Sequence, residues 1–160
     1  MKRLLFSTLA VLAMSVTAFA IEMSTFENKA FSIGYPADWE ITYDSDDCLN
    51  VASEDGDIRF DITFNEEGPM KDQLQMAVDN WVYMKESHGH KVDQTLVKDD
   101  YALVRSIETD EDDGTQTVVV WFLMISSEPQ CFSGSINSSF EHANEAMNIM
   151  VEMLATLEPK

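Results

Sequence analysis

Eight consecutive apolar residues, VVVWFLMI at positions 118–125, constrain the fold of this chain more than any other feature. Their β-branched and aromatic side chains favour an extended strand. The side chains of a strand point alternately to its two faces, so a strand that is apolar at every position has to be covered on both sides. The chain therefore needs a sheet with this strand near its centre and with further structure packed above and below it.

The residues on either side of this segment predict strands, a helix, further strands and a final helix. Asp55-Gly56 and Asp113-Gly114 each lie between two β-prone stretches and predict hairpin turns. The segment Tyr35-Pro36-Ala37-Asp38 suits a type I turn that returns the chain into a paired strand at Trp39. The predicted strands include residues 30–36, 39–44, 58–65, 91–97, 101–109, 115–126 and 131–137. Over residues 58–65 apolar and polar side chains alternate, which predicts a strand with one face exposed to water.

Two helices are predicted, over residues 69–88 and from Ser138 to about Leu157. Gly89 suits the left-handed residue that ends a helix, as expected for the first of them. The pattern Ser138-x-x-Glu141 is a capping box and predicts the start of the second helix. The first helix carries an apolar stripe at helical spacing, formed by Leu74, Ala77, Val78, Trp81 and Val82.

Together these elements predict an α+β fold in which a largely antiparallel sheet of about six strands is sandwiched between helices. Hairpin turns favour antiparallel neighbours, and the doubly apolar strand favours helices on both faces of the sheet. Removal of a leader of 20 residues leaves 140 residues, which suffice for one domain with its own core. We therefore expect a single domain over residues 21–160.

The opening of this domain, Phe31-Ser32-Ile33-x-Tyr35-Pro36-x-x-Trp39, resembles the PsbP-like and DcrB-like superfamily of small exported domains. Members of that superfamily often begin with an extended corner of the form F-S-I-x-x-P-x-x-W and finish with a long C-terminal helix. The motif covers nine positions, and the order of elements agrees over residues 26–158. The resemblance implies an α/β/α sandwich that acts as a small binding or assembly module and generally not as an enzyme. It supplies no catalytic residues, and the lipoprotein cysteine of DcrB-like proteins is absent.

Residues 1–20 are typical of a cleavable signal peptide. They combine a basic start, a short apolar core over residues 4–14, and the small residues Ala18-Phe19-Ala20 before a cleavage point at Ile21. The apolar core is shorter than the roughly 20 residues that a membrane span needs. Because position 21 is not a cysteine, we expect no lipid anchor. The prediction is a periplasmic or extracellular protein that does not insert into a membrane after cleavage.

The predicted mature chain is strongly acidic. Cleavage removes Lys2 and Arg3, so 8 basic residues oppose 29 acidic ones and the formal charge becomes 8 − 29 = −21. Such a field repels nucleic-acid phosphates and anionic lipid headgroups, which disfavours both classes of partner. It attracts cations or the basic surface of a protein. We expect a monomer whose charge keeps it in solution and whose partner is an unidentified protein or small ligand, cationic in character.

Cys48 and Cys131 are the two cysteines of the chain. In an oxidising compartment they form a candidate disulfide, since one follows the second predicted strand and the other begins a late strand of the same sheet. Two unpaired thiols are the alternative. A nucleophilic role for Cys48 is disfavoured, because the neighbouring Asp44, Asp46 and Asp47 oppose formation of a thiolate.

Two segments invite a metal-binding interpretation without satisfying it. His88 and His90 match no zinc spacing, even when the distant His142 is added. The acidic run 108–114 lacks the ligand order of a calcium loop, in which Thr109 would be a weak first ligand. We therefore predict no metal site and no cofactor.

The chain contains no recognisable catalytic motif. A G-x-S-x-G elbow, a Ser-x-x-Lys pair, a phosphate-binding glycine loop and a dinucleotide fingerprint are all absent. We predict a non-catalytic exported binding or assembly module and not an enzyme. The alternative is a hydrolase whose site is assembled from residues scattered along the chain, and a buried cluster of histidine, carboxylate and nucleophile in a cleft would favour it.

Overall fold

The computed structural model describes residues 21–110 and 112–160. In chain order its strands are β1 (Met23–Glu27), β2 (Phe31–Pro36), β3 (Glu40–Asp44), β4 (Cys48–Ala52), β5 (Arg59–Asn65), β6 (Lys91–Val97), β7 (Tyr101–Thr109), β8 (Gln116–Ser127), β9 (Gln130–Ser139) and β10 (Glu158–Pro159). A 3₁₀ turn (Lys71–Gln73) leads into helix α1 (Leu74–Ser87), and helix α2 (Ala143–Ala155) follows β9. Within the described ranges, no helix has both the length and the apolar character to cross a membrane. The predicted signal peptide, residues 1–20, lies outside the described residues.

Seven of the strands form one antiparallel sheet in the order β3-β4-β5-β9-β8-β7-β6. The predicted α+β class and the largely antiparallel pairing are confirmed, but the sheet has seven strands and not about six. The strands β1, β2 and β10 form a second, smaller sheet with β2 in the middle. The sequence does not predict this second sheet, because β10 is only two residues long and β1 lacks an alternating apolar pattern.

Strand β8 pairs with β7 on one side and with β9 on the other. Val118, Val120 and Phe122 are buried on one face, in a core that α2 and the small sheet cover. Leu123 and Ile125 are buried on the opposite face, in a core that α1 covers. The prediction that residues 118–125 form a strand covered on both faces is confirmed.

The larger core lies between the seven-stranded sheet and a layer formed by α2 and the small sheet. Phe31 of β2 contacts Phe26 and Phe132, with ring centroids 6.0 and 5.6 Å away. Phe60 and Phe122 stack at 5.7 Å on the floor of the same core. Aromatic side chains bury about 150–250 Å² each, so much of the hydrophobic stabilisation is concentrated between these two layers.

The turn at Pro36-Ala37-Asp38-Trp39 connects the two layers. The N–H of Trp39 donates to the carbonyl oxygen of Pro36 at 3.0 Å, so a turn is formed, but it begins one residue later than the predicted Tyr35–Asp38 turn. The two strands that it joins do not pair, however, because β2 lies in the small sheet and β3 pairs with β4 in the large one. The prediction of a paired opening is therefore wrong. The turn passes the chain from one layer to the other, with Trp39 buried at the junction.

The predicted turns and helix ends are confirmed in part. Gly89 after α1 and Gly114 between β7 and β8 have φ angles of 79° and 74°, the left-handed conformation that glycine adopts at low cost. Ser138, predicted to cap the second helix, is instead buried in β9 opposite Val118. Helix α2 begins only at Ala143. The capping-box prediction is wrong because the ladder between β8 and β9 continues past Ser138.

Helix α1 covers only part of its side of the large sheet. It contacts β6 and β7, and its buried side chains are Leu74 and Val78. Trp81 stacks on Trp121 of β8 with ring centroids 4.7 Å apart, and the Lys85 ammonium lies 5.2 Å from the Trp81 ring. On this face of the sheet, Cys131 at the start of β9 belongs to the core beneath α1, whereas no described helix packs on β3, β4 or β5.

Candidate functional site

The uncovered half of the sheet, which we call the open face, is lined by small polar side chains. Strand β5 alternates between the two faces, so Phe60 and Ile62 enter the large core while Asp61 and Thr63 point to the open face. The alternation of apolar and polar residues along this strand therefore gives it one face in the core and one face outside it. The side chains of the open face are half-buried, and the group consists of Cys48, Asn50, Asp61, Thr63, Asn65, Ser133, Ser135 and Asn137.

One row of paired residues crosses the open face from the sheet edge to α1. Residues that oppose each other across an antiparallel ladder point to the same side of the sheet. The row runs Tyr43, Asn50, Asp61, Ser135 and Trp121 across β3, β4, β5, β9 and β8. Tyr43 at the edge is 56% exposed, and Trp121 at the other end stacks on α1. The open face is thus a polar floor with an aromatic side chain at each end.

Asp61 lies at the centre of this row and is held by Ser135. The Ser135 hydroxyl donates to Oδ1 of Asp61 at 2.7 Å, and the Ser135 backbone N–H donates to Oδ2 at 3.1 Å. Burial raises the pKa of Asp61, and the two hydrogen bonds from Ser135 act in the opposite direction. None of the ion pairs between described residues includes Asp61. The carboxylate is therefore partly desolvated without a basic partner in the described chain.

Gly134 allows β5 to approach β9 closely at this point. A Cβ atom on Gly134 would lie 2.0 Å from the backbone oxygen of Asp61 and 2.8 Å from the ring of Phe122. No side chain fits there without moving one of the two strands. The absence of a side chain at position 134 consequently sets the distance across which Ser135 holds Asp61.

The two cysteines of the candidate disulfide are not joined in the structure. Cys48 on β4 is half-buried, Cys131 on β9 is buried, and both thiols are free. Strand β5 lies between the two strands, with Cys48 opposite Thr63 and Cys131 opposite Asn65. Two strand spacings amount to roughly 10 Å, whereas the Cα atoms of a disulfide lie within about 7 Å of each other. The predicted proximity was wrong because both cysteines belong to this sheet but not to neighbouring strands.

A second polar cluster lies where the β4–β5 hairpin meets the start of α2. His142 Nδ1 is 2.7 Å from Oδ2 of Asp57, and the Ser139 hydroxyl donates to the same oxygen at 2.9 Å. The hydrogen bond with Asp57 raises the pKa of His142, and the charges of Glu145 and Asp55 act in the same direction. Sequence reasoning missed this cluster, because Asp57 and His142 are 85 positions apart and neither belongs to a motif.

The cluster has the residue types of a serine hydrolase without its geometry. In a catalytic triad the serine contacts one imidazole nitrogen and the carboxylate contacts the other. Here Ser139 Oγ lies 3.2 Å from Nδ1 of His142, the same nitrogen that Asp57 contacts. His142 is exposed, with 46% of its side chain accessible. This is not the buried arrangement in a cleft that would favour the hydrolase alternative.

Neither the acidic run 108–114 nor the histidines considered above are arranged as a metal-binding site. The N–H of Asp112 donates to Oδ1 of Asp110, and the N–H of Thr115 donates to Oδ1 of Asp113, both at 2.8 Å. His88 and His142 belong to the ends of helices on opposite faces of the sheet. Among residues 21–110 and 112–160, no three histidine, cysteine or acidic side chains are grouped so that they could hold a metal ion.

An acidic cleft of about 1100 Å³ lies at the end of the sheet, beside the C-terminus. Its acidic side chains include Asp46, Asp47, Glu66 and Glu67. The two lysines at its rim are already paired, Lys29 with Asp46 and Lys160 with Glu27. These exposed ion pairs contribute little to a specific site. The open face is therefore the better-built candidate.

Comparison with known proteins identifies the type of fold. No family model matches the chain, and no curated protein matches it either. Among solved structures, the solution structure of cyanobacterial PsbP (CyanoP) from Synechocystis superposes with a TM-score of 0.60 and covers 93% of this chain and 99% of that chain, at 6% sequence identity. The Ran-binding protein Mog1p of Saccharomyces cerevisiae superposes with a TM-score of 0.58 and covers 87% of this chain and 96% of that one, at 13% identity.

The chain has a PsbP-like fold. The resemblance drawn from the opening motif is thus confirmed for the fold. A protein of Bacteroides thetaiotaomicron also shares the fold, with a TM-score of 0.53 and 16% identity over 84% of this chain. This chain spans only 49% of the length of that protein. At these identities the PsbP-like fold is what the neighbours establish.

Proposed function

We propose that this protein is an exported, non-catalytic module that binds a protein partner through the open face. The observation that carries the proposal is Asp61, a half-buried carboxylate without a basic partner in the described chain, at the centre of an uncovered sheet face. A partly desolvated charge of this kind costs stability in the free protein. A partner that supplies the missing positive charge would recover that cost.

The side chains of the open face are typical of a binding surface and differ from those of a solvated surface. A solvated face typically carries long charged side chains that are separately exposed, whereas here small amide and hydroxyl groups are half-buried and joined by hydrogen bonds. Asn65 Nδ2, for example, donates to the Ser133 hydroxyl at 3.0 Å. Such a floor is already ordered, so binding requires little further loss of side-chain freedom.

The structural neighbours support a protein as the partner. One of them is described as a Ran-binding protein, and another is PsbP. The geometry of Ser139 and His142 gives the hydrolase alternative no support, since both the hydroxyl and the carboxylate contact Nδ1. We therefore favour a binding or assembly module over an enzyme.

Export of the module is part of the same proposal and rests on residues 1–20 of the sequence. N-terminal sequencing of the native protein would test it. A soluble protein outside the cytoplasm that begins at or near Ile21 would support export. An intact Met1 on membrane-bound material would contradict it.

Site-specific photo-crosslinking in the native host would test the use of the open face. We expect a photoreactive residue at Thr63 or at Asn50 to form an adduct with the same protein. A photoreactive residue at Glu152, which is exposed on α2 across the sheet, serves as the matched control. Adducts that form from Glu152 and not from the open-face positions would refute the proposal.

A further inference from the structure

Two consecutive hydrogen bonds of the open face lead to Asp61. The Nδ2 group of Asn137 donates to the Ser135 hydroxyl at 3.1 Å, and that hydroxyl in turn donates to Asp61. At the neighbouring position, Asn65 Nδ2 donates to the Ser133 hydroxyl and to the Thr63 carbonyl oxygen. The donor groups of these hydrogen bonds are therefore engaged between residues of the face itself.

At Asp61 itself, the network leaves hydrogen-bond acceptors available to a ligand. An ionised carboxylate has about four lone-pair positions, and Ser135 occupies two of those of Asp61. Each asparagine that donates through its Nδ2 group retains an amide oxygen, as Asn137 and Asn65 do. A surface that offers oxygen acceptors around one carboxylate selects a ligand that is rich in donors and positively charged.

The charge of the rest of the protein favours the same ligand. The full chain has a net charge of −19, and within the described residues the ion-paired lysines Lys29, Lys85 and Lys160 contact other carboxylates. Arg59, at the start of β5, donates its Nε–H to the carbonyl oxygen of Gly56. In the ion pairs between described residues, no basic side chain of this chain contacts Asp61, so its carboxylate is available to a cation from another molecule.

The width of the open face indicates that its ligand is a side chain on a protein segment and not a free ion. The row from Tyr43 to Trp121 covers four strand spacings, roughly 19 Å, which an extended segment of about six residues can span. Aromatic side chains at both ends of the row offer further contact area to such a segment. A small free cation would contact only the centre of the row.

We propose that the open face receives an arginine side chain from a basic segment of a protein partner, with the guanidinium group hydrogen-bonded to Asp61. The planar guanidinium presents five donors and can pair with a carboxylate through two parallel hydrogen bonds. The burial that raises the Asp61 pKa also leaves the carboxylate less hydrated, so its pairing with a cation is stronger than on an exposed surface. This inference rests on the proposed function and adds the chemistry of the partner.

An NMR titration of the ¹⁵N-labelled protein with two peptides would test the inference. The first probe is Gly-Ser-Gly-Arg-Gly-Ser-Gly, and the second carries citrulline, the neutral isostere of arginine, at the central position. We expect the arginine peptide to shift the amide signals of Asp61 and Ser135 and to bind at least tenfold more tightly than the citrulline peptide. A hydrogen-bonded charge is worth about 1.5–3 kcal/mol, which corresponds to a factor of ten or more.

Two variants separate a specific site from the diffuse acidic field. Asp61→Asn should weaken binding of the arginine peptide at least tenfold, whereas Glu152→Gln, which removes the same charge from the opposite side of the sheet, should change it less than twofold. Equal weakening by both variants would overturn the inference in favour of a general electrostatic attraction. Three other results would also overturn the inference. They are equal binding of the two peptides, tighter binding of free spermidine than of the arginine peptide, and the absence of a shift in the Asp61 amide signal at a peptide concentration of about 10 mM.

The result is distinguishable from a failure of the proposed function. If crosslinks form from Thr63 or Asn50 while Asp61→Asn leaves the arginine peptide bound, the open face binds a partner and the arginine assignment is wrong. If crosslinks form only from Glu152, the open face is not the binding surface at all.

Discussion

The imidazole Nδ1 of His142 lies 2.7 Å from Oδ2 of Asp57, and this contact fastens the start of α2 to the β4–β5 hairpin. The Ser139 hydroxyl donates to the same carboxylate oxygen, so the end of β9 takes part as well. Three elements on the rim of the larger core are thereby joined through one carboxylate. Because imidazole changes its charge near neutral pH, this junction should respond to pH.

We expect the contribution of His142 to stability to be lost as the pH rises. Its hydrogen bond with Asp57 raises the pKa of His142 in the folded protein above the unfolded value of about 6.5. A raised folded pKa means that the contribution is complete below about pH 6.5 and disappears as the pH passes through the folded value. Thermal unfolding of the wild type and of His142→Gln between about pH 5 and pH 9 would measure it. The difference in melting temperature should narrow with rising pH, and parallel curves would contradict the prediction.

Replacement of Asp61 by asparagine should cost the protein little or nothing in stability near pH 7. Burial raises the pKa of Asp61, so the ionised carboxylate is disfavoured by folding. An asparagine can accept the Ser135 N–H through its amide oxygen and donate to the Ser135 hydroxyl, which preserves both contacts. We expect the free energy of unfolding of Asp61→Asn to lie within about 1 kcal/mol of the wild type, or above it, in urea denaturation.

The pH dependence of this difference provides the control. For an acid with a raised folded pKa, wild-type stability falls as the pH rises from about 3.9 through the folded value, and the variant lacks this fall. The variant should therefore lose its relative advantage when the pH is lowered toward 4. A loss of more than about 2 kcal/mol at pH 7 would show instead that Asp61 is a structural residue whose hydrogen bonds the fold requires.

Much of the fold could be predicted from the sequence because its signals are local. The bounds of β6 and β7 agree with the predicted residues 91–97 and 101–109, and the apolar residues 118–125 lie in the central strand as expected. The small sheet could not be predicted in this way. Its β10 strand is formed by two residues, Glu158 and Pro159, which become a strand only because β2 is available to pair with them.

The candidate site was beyond prediction for a related reason. Asp61 and Ser135 are 74 positions apart and meet through the register of β5 with β9. Serine and asparagine residues on a strand carry no signature that separates a binding floor from a solvated face. The only available signal was the alternation of β5, which placed Asp61 on a wet face without naming its partner. The cysteines illustrate the same limit, since the strand order that separates them is not encoded locally.

Substitution of Gly134 by alanine should destabilise the protein strongly. The added Cβ would lie 2.0 Å from the Asp61 backbone oxygen, and neither paired strand can move without disturbing the ladder. Overpacking of this kind costs about 1–3 kcal/mol, and we expect a value of at least about 2 kcal/mol in urea denaturation. The variant should also bind the arginine peptide more weakly, because β5 would move away from Ser135.

The matched control for this variant is Gly114→Ala in the turn between β7 and β8. Gly114 has a φ of 74° and nothing within 4 Å of the position that its Cβ would take. Alanine there incurs only the cost of the left-handed conformation, about 1 kcal/mol. If Gly134→Ala proves no more harmful than Gly114→Ala, the close approach of the two strands is not the constraint that the structure indicates.

The last prediction is that Cys48 and Cys131 are two separate thiols with different reactivity. Cys48 is half-buried on the open face, whereas burial raises the pKa of Cys131 and withdraws it from solvent. Because the thiolate is the reactive form, a thiol reagent such as dithionitrobenzoate should label Cys48 in the native protein and Cys131 only after unfolding. Cys48→Ser should abolish the native-state labelling and leave one thiol that reacts in denaturant. A Cys48–Cys131 peptide pair in non-reducing mass analysis would contradict the strand order, since the two cysteines could be joined only if β5 did not lie between β4 and β9.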